Sequence, residues 1–221
     1  FGLVYLENLE INNLSLSFFN NLLSNNIFNV CFTVFCLAIL INGSNFIDGL
    51  NGLLTGYYIM VILSIIFVIK NFNILDLPNY EILDLVLISL LIFFVFNLFG
   101  IVFLGDSGSY LISAFIGIYL IKLSLININL SPYYVALLLW YPVFENLFSL
   151  LRRTLKNKNV SLADNLHFHQ LFYLYFKSLK FINKKRANSL TGLIILFLNL
   201  PSFIIASLMP FHSSKLVVTI I

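Results

Sequence analysis

Apolar side chains dominate this chain and fall into long runs that short polar segments separate. Five runs have about the 20 residues that a helix needs to cross the hydrocarbon of a bilayer. They cover residues 53–70, 85–104, 110–126, 132–151 and 190–209. A sixth run, 27–41, is shorter and reaches full length only by continuing into the Asn-rich segment that follows it. The pattern predicts an all-α, polytopic transmembrane helix bundle with about six spans.

The composition supports a lipid bilayer as the solvent of this bundle. Hydrophobic residues make up 60% of the chain, charged residues 10%, and the mean hydropathy is +0.99, which excludes an ordinary soluble domain. We expect one integral-membrane domain over residues 1–221, truncated at both ends because it opens with Phe and stops inside an apolar run. Residues 1–26 are mixed in polarity and predict a loop or small hairpin on the extracytoplasmic side.

Positive charge determines the predicted orientation. Nine of the 12 Lys and Arg residues lie in the segment 152–187, which the positive-inside rule makes a cytoplasmic loop. Counting crossings back from this loop places 71–84 and 127–131 outside, and 42–52 and 105–109 inside. The sequence therefore predicts a multi-pass protein of the cell (inner) membrane.

Three polar segments carry candidate chemistry, and all three fall on the cytoplasmic side in this topology. Their sequences are NGSNFIDGLNG, GDSGS and LADNLHFHQ. Polar residues that only marked loops would occur on both sides, whereas the outer segments hold ordinary turn residues and scattered acids. We therefore expect one active-site cleft that opens to the cytoplasm.

Asp106 is a candidate magnesium ligand. It lies between two glycines at the start of an apolar run, with Ser107 beside it, in a turn whose following helix presents N–H groups that suit a phosphate. A carboxylate next to a phosphate requires a cation between them. Mg²⁺ prefers such oxygen ligands, and Mn²⁺ is the alternative ion. A helix N-cap would also explain an Asp at this position.

Asn42, Asn45, Asp48 and Asn51 recur every three residues and form one polar stripe if their segment is helical. An acid at the membrane is a functional candidate because ionised groups are costly there. Asn45 would add a carbonyl oxygen to the same cation, and Asp48 would bind the cation or orient a ligand. The alternative is an inner turn whose Asn side chains satisfy backbone groups.

His167 and His169 would point to opposite faces of a helix but to the same side of an extended segment. Without Cys or a third ligand, the pair fits phosphate contact better than zinc binding. Asp164 would cap the amphipathic stretch that follows or orient an imidazole. That stretch is predicted to lie along the membrane surface.

Arg152 and Arg153 follow the span that contains Glu145, and Glu145 and Arg152 share a helix face at a spacing of seven. The two arginines either anchor the helix at lipid headgroups or attract an anionic substrate.

These motifs, in this order, resemble those of one enzyme family. The segments NGSNFIDGLNGLL, FLGDSGSYLISAFIG, WYPVFENLFSLLRR and DNLHFHQLF are similar to motifs of the polyprenyl-phosphate N-acetylhexosamine-1-phosphate transferases, which belong to glycosyl transferase family 4. The H-x-H element and the Arg pair look more like the branch that initiates O-antigen and teichoic-acid synthesis than like the peptidoglycan branch. The resemblance runs from about Cys31 to Tyr173.

The resemblance implies a Mg²⁺-dependent transfer of sugar-1-phosphate from a UDP-N-acetylhexosamine to a membrane polyprenyl phosphate, with release of UMP. By position, Asp106 and Asn45 would be the metal ligands. The implied catalytic residues are Asp48, Asp106, His167 and His169, with both histidines at the sugar or diphosphate. The residues implied to bind the donor or its cofactor are Asn42, Asn51 (on the uridine side), Ser107, Arg152 and Arg153. Expected partners are the UDP-sugar, polyprenyl phosphate and membrane lipids, with a homodimer as a candidate assembly and no nucleic acid.

The chain departs from the family pattern in three ways. Asn51 stands where most bacterial members have Asp, and Gln170 replaces the last His of H-x-H-H. The adjacent Asp pair that precedes the first motif in the family is absent from these 221 residues. Because that pair is proposed to bind or deprotonate the lipid phosphate, we expect this chain alone to be inactive.

Two other classes of protein remain open from the residues alone. An ion- or proton-coupled transporter would also place carboxylates such as Asp48 and Asp106 in broken membrane helices. A non-catalytic scaffold would keep the motifs without turnover. The order of the motifs favours the transferase.

Overall fold

The computed structural model describes residues 2–74, 81–156, 167–178 and 183–220. Helices account for most of these residues, and the described part contains no β-strand. The helices are α1 Gly2–Leu6, α2 Ser17–Leu23, α3 Asn26–Ile47, α4 Leu53–Asn71, α5 Glu81–Leu98, α6 Gly105–Ile126, α7 Pro132–Leu155, α8 Phe168–Ser178, α9 Lys184–Leu208 and α10 Ser213–Ile220. Six of them, α3 to α7 and α9, are long and apolar enough to cross a membrane. The prediction of an all-α bundle with six spans is confirmed.

Helix α3 shows how the short sixth run reaches full length. It continues through the Asn-rich segment to Ile47, because only one of its sides is polar there. Gly43, Ser44 and Ile47 are buried on the packed side, while Asn42 is exposed and Asn45 half-buried on the other. The polar stripe predicted for a helical segment therefore begins on the last turns of a membrane helix.

Helix α5 ends earlier than the hydrophobic pattern predicts. Gly100 adopts a φ of +66°, and the N–H of Ile101 donates to the carbonyl of Phe96, 3.0 Å away. This left-handed glycine closes the helix in the way that a Schellman motif does. The apolar residues 101–104 form a connection to α6 instead of a last turn of α5.

Helix α4 lies at the centre of the bundle. Most of its side chains are buried, including Tyr57 and Tyr58. It packs mainly on α5 and α9, while α3 packs mainly on α6 and α7. The core is therefore a set of membrane helices around α4.

Helix α7 crosses this core with Pro142 inside it. Proline has no N–H, so the carbonyl of Leu138 loses its usual partner four residues later. The Tyr57 hydroxyl donates to that carbonyl at 2.8 Å. On α3, a side chain at Gly43 would overlap the Pro142 carbonyl oxygen, so glycine permits the close approach of α3 to α7. These contacts place the last turns of α7 beside the end of α3.

The bundle has two distinct ends. At one, α3, α5 and α7 end and α4, α6 and α9 begin; we call it the site end. The opposite end, called the far end, is held by Ser131, whose N–H donates to the Pro210 carbonyl at 2.9 Å. Residues 1–26, predicted as a loop or hairpin, contain the short helices α1 and α2, and the N–H of Ile11 donates to Asn29 Oδ1 of α3 at 3.0 Å.

Candidate active site

Asp48 follows the last residue of α3 and joins that helix to the start of α6. Its Oδ2 accepts a hydrogen bond from the N–H of Gly105 at 3.1 Å, so it satisfies one of the N–H groups that every helix start leaves unpaired. Gly105 has a φ of +67°, which glycine adopts without strain. The motifs around residues 48 and 106 thus meet directly.

Asp106 lies in the first turn of α6, with an exposed side chain. The N-cap position of α6 is Leu104, so the alternative that Asp106 is the N-cap is wrong. The capping carboxylate comes from Asp48 of another element. This arrangement leaves the Asp106 side chain at the surface of the site end, next to the likewise exposed Ser107.

The carboxyl group of Asp48 is affected by its burial and by the charge of Asp106. Burial raises the pKa of Asp48 from 3.8 to about 6, the hydrogen bond from Gly105 opposes this change, and the negative charge of Asp106 adds to it. Like charges this close repel when both groups are ionised. A cation beside them would relieve that repulsion.

Asn45 places an amide oxygen near the same turn. Its Oδ1 accepts from the Ser109 hydroxyl at 3.0 Å, and its Nδ2 lies 3.4 Å from the Tyr110 hydroxyl. Asn42 lies one turn earlier on α3 and is exposed. The stripe on α3 therefore contacts the first turns of α6.

The donor set of this region suits magnesium. Mg²⁺ usually takes one or two carboxylates, keeps several waters and adds substrate phosphates, and Asp48, Asp106 and Asn45 offer carboxylate and amide oxygens of this kind. No group of three or more His, Cys, Asp or Glu side chains with metal-binding geometry occurs in the described part of the chain.

The two histidines lie on the same side of their segment and share one carboxylate. His167 immediately precedes α8 and His169 is its second residue. Nδ1 of His167 lies 3.2 Å from Glu145 Oε2, and Nδ1 of His169 lies 3.1 Å from Glu145 Oε1. The rings are nearly parallel, with centroids 5.5 Å apart and an interplanar angle of 15°. Both histidines and Glu145 are buried.

The histidine pair borders the turn that carries Asp48. The rings of Phe46 and His167 are 4.7 Å apart, and a side chain at Gly49 would begin 3.5 Å from Nε2 of His169. The structure therefore brings the three motif regions to one end of the bundle. Asn45 of α3 contacts Ser109 and Tyr110 in the first turns of α6. The histidines approach the end of α3 at Phe46 and Gly49.

Asn51 serves the packing of the turn between α3 and α4. Its N–H donates to Asn188 Oδ1 at 2.7 Å, and its Nδ2 lies 3.5 Å from the Ser189 hydroxyl. A side chain at Gly192 would reach the Asn51 carbonyl oxygen within 2.6 Å. Asn51 thus anchors the turn to α9, while its predicted contact with uridine stays a prediction.

Arg152 and Arg153 occupy the last turn of α7 and are half-buried. The guanidinium carbon of Arg152 lies 5.9 Å from the centre of the Phe148 ring, a distance typical of cation–π contact. Asp164, the predicted cap or imidazole partner, lies outside the described residues.

Glu145 is the residue of this site whose role the sequence did not reveal. The helical spacing placed it only on the same face as Arg152, whereas its carboxylate binds the two histidines. One signal was present: an acid within an apolar span is a functional candidate by default. The two histidines that contact it lie more than 20 residues further along the chain, and no helical spacing indicates them.

Comparison with known proteins assigns the chain to a family. Residues 1–124 match the model of glycosyl transferase family 4, and the chain belongs to that family. The matched region contains Asn45, Asp48 and Asp106, and it ends before Glu145 and the histidines.

Two relatives can be named. The undecaprenyl-phosphate alpha-N-acetylglucosaminyl 1-phosphate transferase of Thermotoga maritima is 31% identical over 138 residues, which cover 60% of this chain and 39% of the relative. A probable undecaprenyl-phosphate N-acetylglucosaminyl 1-phosphate transferase of Bacillus subtilis is 30% identical over 145 residues, covering 62% of this chain and 38% of the relative. The match thus spans about two fifths of each relative's length. No solved structure matches the chain.

Proposed function

We propose that the intact protein transfers N-acetylhexosamine-1-phosphate from a UDP-sugar to a membrane polyprenyl phosphate and releases UMP, initiating the synthesis of a cell-envelope polysaccharide. One observation carries the proposal. The Asp48 carboxylate binds the start of α6 next to Asp106, and the histidine pair borders the same turn. Family membership and the names of the relatives support the reaction class.

The residues of the site have separate roles in this reaction. Asp106 and Asn45 would hold Mg²⁺, with Asp48 beside them. When bound, the ion stabilises negative charge on the diphosphate as a Lewis acid. His167 and His169 contact the diphosphate or sugar, and Arg152 and Arg153 attract the anionic substrate.

The transfer is a displacement at phosphorus. An oxygen of the lipid phosphate attacks the β-phosphorus of the UDP-sugar, and the bond from that phosphorus to the bridging oxygen breaks. UMP leaves with the bridging oxygen. The protein contributes by holding both phosphates in line and by offsetting their charge.

The competing transporter is not favoured. Asp48 and Asp106 both lie at one end of the bundle, next to each other, whereas coupled transport places ionisable groups near the membrane midplane. The orientation of the site toward the cytoplasm rests on the positive-inside rule and is part of the proposal. A homodimer stays a prediction.

The experiment measures exchange of labelled UMP into UDP-N-acetylhexosamine by membranes that contain the intact protein. We expect exchange that a chelator abolishes and Mg²⁺ restores, and a loss of at least about 100-fold in Asp106→Asn, since the removed charge holds the ion. Asp84→Asn is the matched control, because Asp84 lies in the first turn of α5, at the far end. UMP exchange that continues unchanged in the presence of the chelator and in the Asp106→Asn variant would contradict the proposal. Mg²⁺-dependent binding of the UDP-sugar by the intact protein would count against the non-catalytic scaffold, and the absence of both exchange and such binding would favour it.

A further inference from the structure

Glu145 has surroundings that require explanation beyond packing. The residue is only 2% exposed, and an ionised carboxylate is costly to bury unless donors surround it. The N–H groups of Phe168 and His169 approach its two oxygens at 3.3 Å each, and the Tyr141 hydroxyl approaches Oε1 at 3.1 Å. Every one of these groups donates, so the geometry fits the ionised form of Glu145.

An ionised carboxylate accepts hydrogen bonds and cannot donate one. The close Nδ1 atoms of His167 and His169 must therefore carry the protons that they share with Glu145. This fixes the Nδ1–H state of both rings, whereas an unrestrained neutral imidazole exchanges its proton between two nitrogens. The carboxylate also sets the parallel arrangement of the rings.

The opposite side of the His169 ring carries a second observation. Its Nε2 is buried and has no hydrogen-bond partner within the described residues. A buried polar atom without a hydrogen-bond partner destabilises the folded state, and in native proteins such an atom requires an explanation such as a ligand or a function. This atom lies at Gly49, in the turn between Asp48 and α4.

We propose that Glu145 is the positioning residue of this site: it holds His167 and His169 by their Nδ1–H groups and so presents their Nε2 atoms to the diphosphate at the turn after α3. The inference rests on the proposed function, since that function supplies the anion. To donate to a phosphoryl oxygen, an Nε2 must carry a proton while Nδ1 keeps its own. The ring is then an imidazolium, which the Glu145 carboxylate stabilises.

A kinetic test uses the intact protein in membranes. We expect Glu145→Gln to lower kcat/KM for the UDP-sugar on the order of 10- to 100-fold, as for other residues that orient a functional imidazole. Glu145→Asp keeps the charge and should recover part of the loss. In a His167→Gln/His169→Gln background, Glu145→Gln should cost less than about 3-fold, because residues that act through one another are not additive.

Asn146→Ala is the matched control. Asn146 is the next residue of α7, is also buried, and its Nδ2 donates to the Ile39 carbonyl at 2.9 Å. Its loss should lower the thermal midpoint of the protein while leaving kcat/KM within about 3-fold. A purely structural Glu145 would behave like Asn146. If Glu145→Gln lowered kcat/KM by the same factor in the His167→Gln/His169→Gln background as in the wild type, the proposal would be overturned.

A second measurement does not depend on turnover. Nitrogen-15 spectra of the purified, histidine-labelled protein should show protonated Nδ1 atoms in His167 and His169, assigned with the single His→Gln variants. In Glu145→Gln, the proton of each neutral ring should be distributed between Nδ1 and Nε2. If the wild type shows bare Nδ1 atoms, the positioning role is wrong whatever the enzyme does. If Nδ1 is protonated but membranes show no UMP exchange, the positioning role stands and the proposed transfer fails.

Discussion

Asp48 and Asp106 are both aspartates, yet their surroundings give them different properties. Asp48 is half-buried and accepts a hydrogen bond from the N–H of Gly105, the first residue of α6. Asp106, the second residue of that helix, is exposed. Burial and the charge of Asp106 raise the pKa of Asp48 to about 6. The fixed carboxylate orders the start of α6, and the exposed one is available to a cation.

The raised pKa of Asp48 predicts a pH-dependent stability. Because folding favours the protonated form, the contribution is complete below about pH 4 and is lost as the pH rises to about 6. In metal-free protein with chelator, the thermal midpoint of the wild type should therefore fall relative to that of Asp48→Asn over this interval. Above it, the difference should be constant.

Asp106→Asn tests the cause of this behaviour. Removing the neighbouring negative charge should lower the pKa of Asp48 and narrow the pH interval over which stability is lost. The measurement is the thermal midpoint from pH 4 to pH 8, compared between Asp48 and Asp48→Asn once with Asp106 present and once in Asp106→Asn. If the thermal midpoint of the wild type instead rose relative to that of Asp48→Asn as the pH increases, the pKa of Asp48 would be lowered by folding and not raised.

Helix α7 depends on a partner to tolerate its internal proline. Pro142 leaves the Leu138 carbonyl without a helical donor, and the Tyr57 hydroxyl of α4 replaces it at 2.8 Å. Three residues after the proline comes Glu145, which binds the two histidines at the start of α8, His167 before the helix and His169 within it. The contact between α4 and α7 therefore supports the helix that carries the positioning carboxylate.

A double-mutant cycle tests this support. Tyr57→Phe should destabilise the wild type by about 1–3 kcal/mol, because it leaves the Leu138 carbonyl unpaired in the core. In Pro142→Ala, the new N–H at position 142 can bind that carbonyl, so Tyr57→Phe should cost less than about half as much. Reversible unfolding in detergent gives the values.

Tyr58→Phe is the control for the cycle. The Tyr58 hydroxyl is also buried but bonds to Ser44 of α3, so Pro142→Ala should leave its cost unchanged. Equal coupling of both tyrosines to Pro142 would mean that the proline change perturbs the core generally.

The whole bundle is polarised along its axis. The candidate catalytic groups gather at the site end, while the far end is closed by Ser131 with Pro210 and by an ion pair between Lys122 and Glu7, whose Nζ and Oε2 are 3.0 Å apart. Successive helices cross the bundle in opposite directions, so polar segments lie at the same end whenever an even number of spans separates them, as α4 and α5 separate Asp48 from Asp106. One face of the membrane therefore holds the chemistry.

Cysteine labelling tests the orientation. In a background with Cys31 and Cys36 replaced by Ser, Ser107→Cys and Asn129→Cys each place one thiol in an exposed position, at opposite ends of α6. We expect an impermeant maleimide to label position 129 in intact cells and position 107 only in inverted membranes, as the positive-inside rule requires. The reverse pattern would place the site outside the cell.

Several features follow from local pattern and could be predicted. The length of apolar runs determines the six spans because a bilayer offers backbone groups no other hydrogen-bond partners. The charge of segment 152–187 and the parity of crossings then place Asn45, Asp106 and His167 at one end. The helix ends do not follow from this pattern, since Gly100 ends α5 through a left-handed backbone conformation inside an apolar run.

The contacts inside the site were decided by packing. Asp48 meets Gly105 across 57 positions of the chain, and Glu145 meets His167 across 22. Spacing along a sequence reports which residues share a helix face, but these partners belong to different elements. The close approach of α3 to α7, which Gly43 permits at the carbonyl of Pro142, likewise brings the end of α3 beside the part of α7 that carries Glu145.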